Sequence, residues 1–325
     1  MISQALYSER VAQLGWLELR RPAALNALSG EMIQACLTQL QAWQADSTLQ
    51  AVVISAEGRA FCAGGDVRWA YAHGREQLPQ VLDFFEKEYH LNGLIGTLGK
   101  PYIALMQGIT MGGGAGISLH GSHPIATESF SFAMPETSIG LFPDVGMCYL
   151  LSRLPPGVGA YLALTGKRLT AFEALALGLV AYVIPDESLL LIKQQLRSWG
   201  EAGAPLPALE DIFQAHHLNH PAPLEPAHLI AHCFNRDTLD AIMSALRASD
   251  HPWAKETLDK LMTCSPFSLQ VTLTHLQRAA SLSLEACLAQ DRLLVEQCLR
   301  HPDFYEGVRA RVIDKDNQPR WARIS

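Results

Sequence analysis

Two short apolar runs, Ala51–Ser55 (AVVIS) and Pro101–Met106 (PYIALM), each give way at once to a glycine-rich turn. The first turn reads Gly58-Arg59-Ala60-Phe61-Cys62-Ala63-Gly64-Gly65-Asp66; the second runs from Gly108 to Gly116 with Gly112-Gly113-Gly114 inside it. Short aliphatic runs bounded by glycine are the pattern of buried strands. Glycine just past a strand lets the backbone approach a ligand closely and aim amide N–H groups at it. A helix opening after such a turn adds the positive end of its dipole. This repeated order restricts residues 1–185 to an α/β fold.

Other elements fit between these landmarks. Val11–Leu19 alternates loosely and reads as a strand, and Pro124–Phe132 as a strand–turn set. Met32, Ile33, Cys36, Leu37, Leu40 and Trp43 recur at helical spacing, with Ser29 at the N-cap position and Glu31 in the first turn. Beyond Pro185 helical periodicity dominates, and Pro205, Pro207, Pro221, Pro223 and Pro226 punctuate the middle. Thr238–Leu246, Trp253–Met262, Leu269–Leu276 and Leu284–Leu299 read as helices. The sequence therefore suggests two parts, 1–185 and 186–325, with the boundary zone reaching to 225.

Composition narrows the function classes. A chain of 325 residues with 49% hydrophobic content can bury a large core. With 25 Lys+Arg against 32 Asp+Glu it is mildly acidic, which excludes nucleic acid as the main partner. No apolar stretch approaches the ~18 residues that span a bilayer, so no membrane association is expected. Met1–Arg20 lacks the charged-then-apolar pattern of a secretory leader. The seven cysteines include no CxxC pair and read as free thiols in a reducing compartment. Together these give a cytoplasmic expectation.

Each glycine turn alone is also compatible with a tight strand–helix corner. The second is no dinucleotide fingerprint, because Ile117 occupies the last position of G-x-G-x-x-G. Two such turns allow something more: one amide from each can form an oxyanion hole for a carbonyl that gains charge.

Three carboxylates stand out. Glu136 and Asp144 lie in apolar segments bounded by proline and glycine, where desolvation raises a carboxyl pKa toward the range of acid–base catalysis. Helix capping is the other reading for both. Glu88 falls at i+7 from Val81, i+4 from Phe84 and i+3 from Phe85, on the apolar face of a helix from which Glu86 and Lys87 point away. A charge there needs a partner or a ligand. His120 and His123 read as structural, His120 breaks any G-x-S-x-G elbow, and His216, His217 and His220 lack the partner acid of a metal site.

Three segments, Arg21–Leu28 (RPAALNAL), Ala60–Asp66 (AFCAGGD) and Gly108–Gly114 (GITMGGG), resemble in order and spacing the crotonase (enoyl-CoA hydratase/isomerase) superfamily. The block Phe132–Gly146 (FAMPETSIGLFPDVG), and Asp303–Ala310 (DFYEGVRA) followed by Ile313–Asp316 (IDKD), resemble its 3-hydroxyisobutyryl-CoA hydrolase branch. The resemblance covers nearly the whole chain. It implies an α/β crotonase-like spiral of repeated ββα units followed by a helical C-terminal region. It also implies an acyl-CoA substrate whose thioester oxygen is held in an oxyanion hole by the amides of Gly65 and Gly113. Gly64 and the loop through Asp66 would lie along the CoA adenine and pantetheine.

In that branch the catalytic carboxylates match Glu136 and Asp144, and Glu88 matches a substrate-contacting glutamate. The implied activity is hydrolysis of a short 3-hydroxyacyl-CoA, 3-hydroxyisobutyryl-CoA above all, in valine breakdown. Glu136 would act as nucleophile or as base toward water, with Asp144 orienting it and protonating the thiolate. Glu88 would accept the substrate's 3-hydroxyl. No metal and no cofactor apart from the substrate's own CoA is expected, and a homo-oligomer is left open.

Two departures qualify the match. Gly116 stands where hydratases of the superfamily carry the first of two glutamates, and Met147-Cys148 where the hydrolases carry Gly-Gly. The chain is also short for the branch. An enoyl-CoA hydratase/isomerase and, more remotely, a non-catalytic acyl-CoA-binding protein are the rival readings.

Overall fold

The computed structural model describes residues 5–322; the outer ends of both expected parts, residues 1–4 and 323–325, lie outside the described residues. Two compact units emerge, each assembled from three stretches of chain. One takes the chain up to Gly65, His90–Phe132 and Leu169–Pro223; the other takes Asp66–Tyr89, Ala133–Arg168 and the chain from Leu224.

The first unit carries the sheets. Their strands are β1 (Leu6–Val11), β2 (Leu14–Leu19), β3 (Ala51–Ala56), β4 (Ala60–Cys62), β5 (Tyr102–Met106), β6 (Ile109–Met111), β7 (His123–Thr127), β8 (Ser131–Ala133), β9 (Leu169–Thr170) and β10 (Tyr182–Ile184). One sheet has the order β1-β2-β3-β5-β7-β10, the other β4-β6-β8-β9. Three successive strand pairs thus send their first strand to the larger sheet and their second to the smaller. This is the repeated ββ unit.

Two sequence readings change here. The span Val11–Leu19 contains a hairpin turn at Ala12-Gln13, and β1 pairs antiparallel with β2 from Leu6↔Leu19 to Val11↔Leu14. The polar Tyr-Ser-Glu-Arg stretch of this edge strand hides it from a search for apolar alternation. The glycine turns likewise contain β4 and β6, each three residues long and too short for a period-two signal.

The remaining neighbours in the six-stranded sheet run parallel, so β3 and β5 read as continuous apolar runs, buried throughout. Val53, Ile103, Leu105 and Ile125 share a buried cluster with Leu196 and Phe213, from the helices Ser188–Ala202 and Pro207–Gln214. Those helices lie beyond Pro185, yet they belong to the sheet-bearing unit.

The second unit is helical. Val158–Thr165 is buried at all eight positions, as an apolar-all-round helix must be. The helices Pro252–Met262, Pro266–Ala279 and Pro302–Val308 begin with proline at the first turn, where a missing N–H costs nothing, behind the side-chain caps His251, Ser265 and His301. The helix Leu284–Arg300 is capped by Ser283. No described helix is long and apolar enough to cross a membrane.

Candidate active site

In the first unit the two glycine turns lie against each other. A Cβ on Gly64 would sit 3.3 Å from the Met111 carbonyl oxygen and 3.6 Å from the Gly113 nitrogen; one on Gly114 would sit 2.3 Å from the Cys62 oxygen. Only glycine permits this approach. Gly64 has φ 115° and Gly112 φ 49°, backbone that side chains disfavour. Among the described residues neither the Gly65 nor the Gly113 amide donates a backbone hydrogen bond.

Asn26 holds the first turn: its buried amide donates to the carbonyls of Glu57 (2.8 Å) and Ala60 (2.9 Å), and its oxygen accepts from the Arg21 amide at 2.8 Å. This gives the Arg21–Leu28 motif a physical reason.

The carboxylates gather in the second unit. On the helix Leu78–Gly96, Glu88 is 1% exposed beside buried Val81, Phe84 and Phe85, while Glu86 is exposed. The face assigned from its spacing is the one it occupies. Glu136 opens a 3-10 turn, Glu136–Ile139, that Gly140 closes at φ 76°. A Cβ on Gly140 would lie 2.3 Å from the Asp303 carbonyl oxygen, and one on Gly307 2.5 Å from the Ile139 carbonyl carbon. The Phe132–Gly146 and Asp303–Ala310 blocks are therefore packed backbone to backbone. Their joint occurrence in the sequence has a steric cause.

Asp144 does not cap a helix: the short helix Met147–Leu151 has Gly146 at its N-cap and no side-chain cap. Its carboxylate instead accepts the phenol of Tyr89 at 2.7 Å. Glu88 Oε1 and Glu136 Oε2 are buried and accept no hydrogen bond among the described residues.

Burial, then the charge of Asp144, push the Glu88 carboxyl well above its ordinary range. Burial and the same neighbour do so for Glu136, with a smaller contribution from Glu88 and partial relief from its own backbone amide. Asp144 is pushed up to about 7 by burial and by Asp291, against the Tyr89 hydrogen bond. Three like charges cannot share one apolar site at neutral pH, so protons are retained among them. Such a group can donate and accept protons, or attack an electrophile from a dry environment.

Asp66 caps the helix Val67–His73, its carboxylate accepting the Trp69 amide at 3.2 Å. His123 is held between Ser122 and Glu210, and His217 lies against the Val183 backbone, as structural histidines do. Met147 and Cys148 are fully buried, the Cys148 thiol donating to the Pro143 carbonyl at 3.1 Å. Sequence reasoning missed Tyr89, next to Glu88, and Asp291, which accepts the Gly146 amide at 2.8 Å. Asp291 lies on a buried helix face, the same signal that marks Glu88.

The enoyl-CoA hydratase/isomerase family profile matches residues 14–325. A protein of Xenopus tropicalis named "3-hydroxyisobutyryl-CoA hydrolase, mitochondrial" is 40% identical over 318 residues, which are 94% of this chain and 81% of that one. Among solved structures, a carnitinyl-CoA dehydratase from Mycobacterium thermoresistibile matches with TM-score 0.91 at 35% identity, over 98% of this chain and 92% of that one. An enoyl-CoA hydratase from Rhodobacter sphaeroides 2.4.1 matches with TM-score 0.88 at 36% identity, over 98% and 93%.

Proposed function

The chain belongs to the enoyl-CoA hydratase/isomerase family, and we propose that it hydrolyses a short 3-hydroxyacyl-CoA, foremost 3-hydroxyisobutyryl-CoA, to the hydroxy acid and CoA. The observation that carries this reading is the buried carboxylate group of Glu88, Glu136 and Asp144, two of whose members keep an unengaged oxygen. The name of the Xenopus tropicalis relative supports it, and a reaction so read has its place in valine breakdown.

In this reading the thioester oxygen takes the amides of Gly65 and Gly113, and negative charge developing there is stabilised. Glu136, in its ionised form, attacks the carbonyl carbon to give a mixed anhydride or removes a proton from the attacking water. The C–S bond breaks and the departing thiolate takes its proton from Asp144; where an anhydride has formed, water then cleaves it, freeing the hydroxy acid and the Glu136 carboxylate and returning a proton to Asp144. The chemistry calls for no cofactor beyond the CoA of the substrate. Gly64 and Asp66 are retained as substrate-loop residues, Asp66 through the helix that it caps. The seven cysteines, all buried and none in a disulfide, support a reducing compartment, and the cytoplasm is the proposed one.

Thiol release from 3-hydroxyisobutyryl-CoA, 3-hydroxypropionyl-CoA, isobutyryl-CoA and crotonyl-CoA tests the reading. Fast release from the hydroxylated pair is expected. Loss of the crotonyl absorbance without thiol would establish the hydratase alternative, which the names of the two solved neighbours favour and Gly116 opposes.

Two further outcomes are expected. Glu88→Leu should collapse the preference for 3-hydroxyisobutyryl-CoA over isobutyryl-CoA by roughly 10²-fold or more, because an unpaired buried carboxylate is what rejects the plain acyl group. An unchanged ratio would remove Glu88 from substrate recognition. Gly114→Ala should lower kcat roughly 10²-fold with retained circular dichroism, since the added Cβ meets the Cys62 carbonyl and parts the two turns. Native turnover in that variant would separate the turns from catalysis.

A further inference from the structure

His275, Cys287 and Asp291 place their polar atoms within 4.8 Å of one another, and the chemistry above uses none of them. They come from the helices Pro266–Ala279 and Leu284–Arg300, and the His275 and Asp291 side chains are wholly buried. Both oxygens of Asp291 are engaged. Oδ1 meets His275 Nε2 at 2.6 Å, and Oδ2 accepts the Gly146 amide at 2.8 Å. Gly146 follows Asp144 by two residues, in a turn where Val145 and Gly146 stand at φ 51° and 72°. A β-branched residue in left-handed backbone is strained, and such a turn persists only where its surroundings hold it.

We propose that Asp291, oriented by His275, is a positioning residue for Asp144: it pins the Asp144–Gly146 turn through the Gly146 amide and stations a negative charge near the Asp144 carboxyl. The geometry stands by itself; the role of Asp144 rests on the hydrolase reading.

His275 Nδ1 is buried and has no partner among the described residues. A buried lone pair left unpaired is less costly than a buried N–H, so Nε2 carries the ring proton and donates it to Asp291. Burial raises the Asp291 carboxyl above its ordinary value, and the hydrogen bonds from His275 and the Gly146 amide act against that rise and favour its charged form. The other titratable groups around Asp144 are Glu88 and Tyr89 on the helix Leu78–Gly96, Glu136 on its 3-10 turn, Cys148 on Met147–Leu151 and Cys298 on Leu284–Arg300. Among the described residues no lysine or arginine is among the causes that act on Asp144, and the one charge partner that acts on Asp291 is His275. A dry site transmits that charge with little screening.

The test follows the Asp144 carboxyl by 13C NMR over a pH titration, its resonance assigned by its loss in D144N. In D291N the midpoint should fall by about one unit or more, and the basic limb of the kcat–pH profile should move with it while KM changes less than about threefold. His275→Leu removes the donor, Asp291 takes up a proton, and the same fall is expected. His275→Gln restores a donor and the native midpoint. An unchanged midpoint in folded D291N, or identical midpoints in the leucine and glutamine variants, overturns the proposal. Should D291N not fold, the His275 pair decides. Absence of thiol release from every thioester would sink the hydrolase reading, while the NMR midpoints still decide what Asp291 does.

Discussion

Glu136→Gln should abolish thiol release, with a loss of roughly 10³-fold or more, and yield a protein that is more stable than the native one at neutral and alkaline pH. Both effects have one origin. The Glu136 carboxyl is buried with Oε2 unpaired, and Asp144 and Glu88 add like charge. Its folded pKa lies above its unfolded one, so its contribution to stability is fully present below the ordinary carboxylate range. That contribution is lost as pH rises through the folded value. Glutamine never ionises, and the alkaline loss disappears with the carboxylate charge. Thermal midpoints at pH 5 and pH 8 check this, a change of about 1 kcal/mol moving a chain of this size by roughly 2 °C. A variant as active as the native protein would remove Glu136 from the chemistry. A midpoint difference equal at both pH values would remove the charge from the explanation.

Asp144→Asn carries the second large expectation. The group rises from 3.8 unfolded to about 7 folded. Native stability due to Asp144 is thus complete below pH 3.8 and declines as pH passes through about 7. Three pK units correspond to about 4 kcal/mol as an upper bound, so the asparagine variant should gain up to that amount at pH 8 and little at pH 4. Its amide oxygen can still accept the Tyr89 phenol, which keeps that contact from confusing the comparison. Urea unfolding at the two pH values measures the difference, and equal differences would refute the assignment. In turnover, if Asp144 is the proposed proton donor to the thiolate, the basic limb near pH 7 should vanish together with most of kcat, because an amide cannot supply that proton. Stability given up by burying carboxylates is the cost of a site that works on protons.

What the sequence determined by itself was local. AVVIS and all of PYIALM but its half-buried Pro101 are strands because mostly apolar residues fill them, and those strand residues are buried throughout in the sheet. The helix Gly30–Ala45 follows from its apolar spacing and from Ser29, whose side chain accepts the Met32 amide. Glu88 was legible as a buried carboxylate because spacing within eight residues puts it on the face of Val81, Phe84 and Phe85. The glycines of the two turns were legible as close-approach positions, although the strands inside those turns, β4 and β6, were not.

What only the tertiary structure decided is distant pairing. Tyr89 and Asp144 meet across 55 residues, Gly146 and Asp291 across 145, and the helices beyond Pro185 divide between both units. A three-residue strand carries no periodicity, and a hydrogen bond between residues so far apart leaves no mark on the neighbours of either. Helical and strand periods report which face a side chain takes over one or two turns of chain; which face it then meets depends on how the whole chain closes its core.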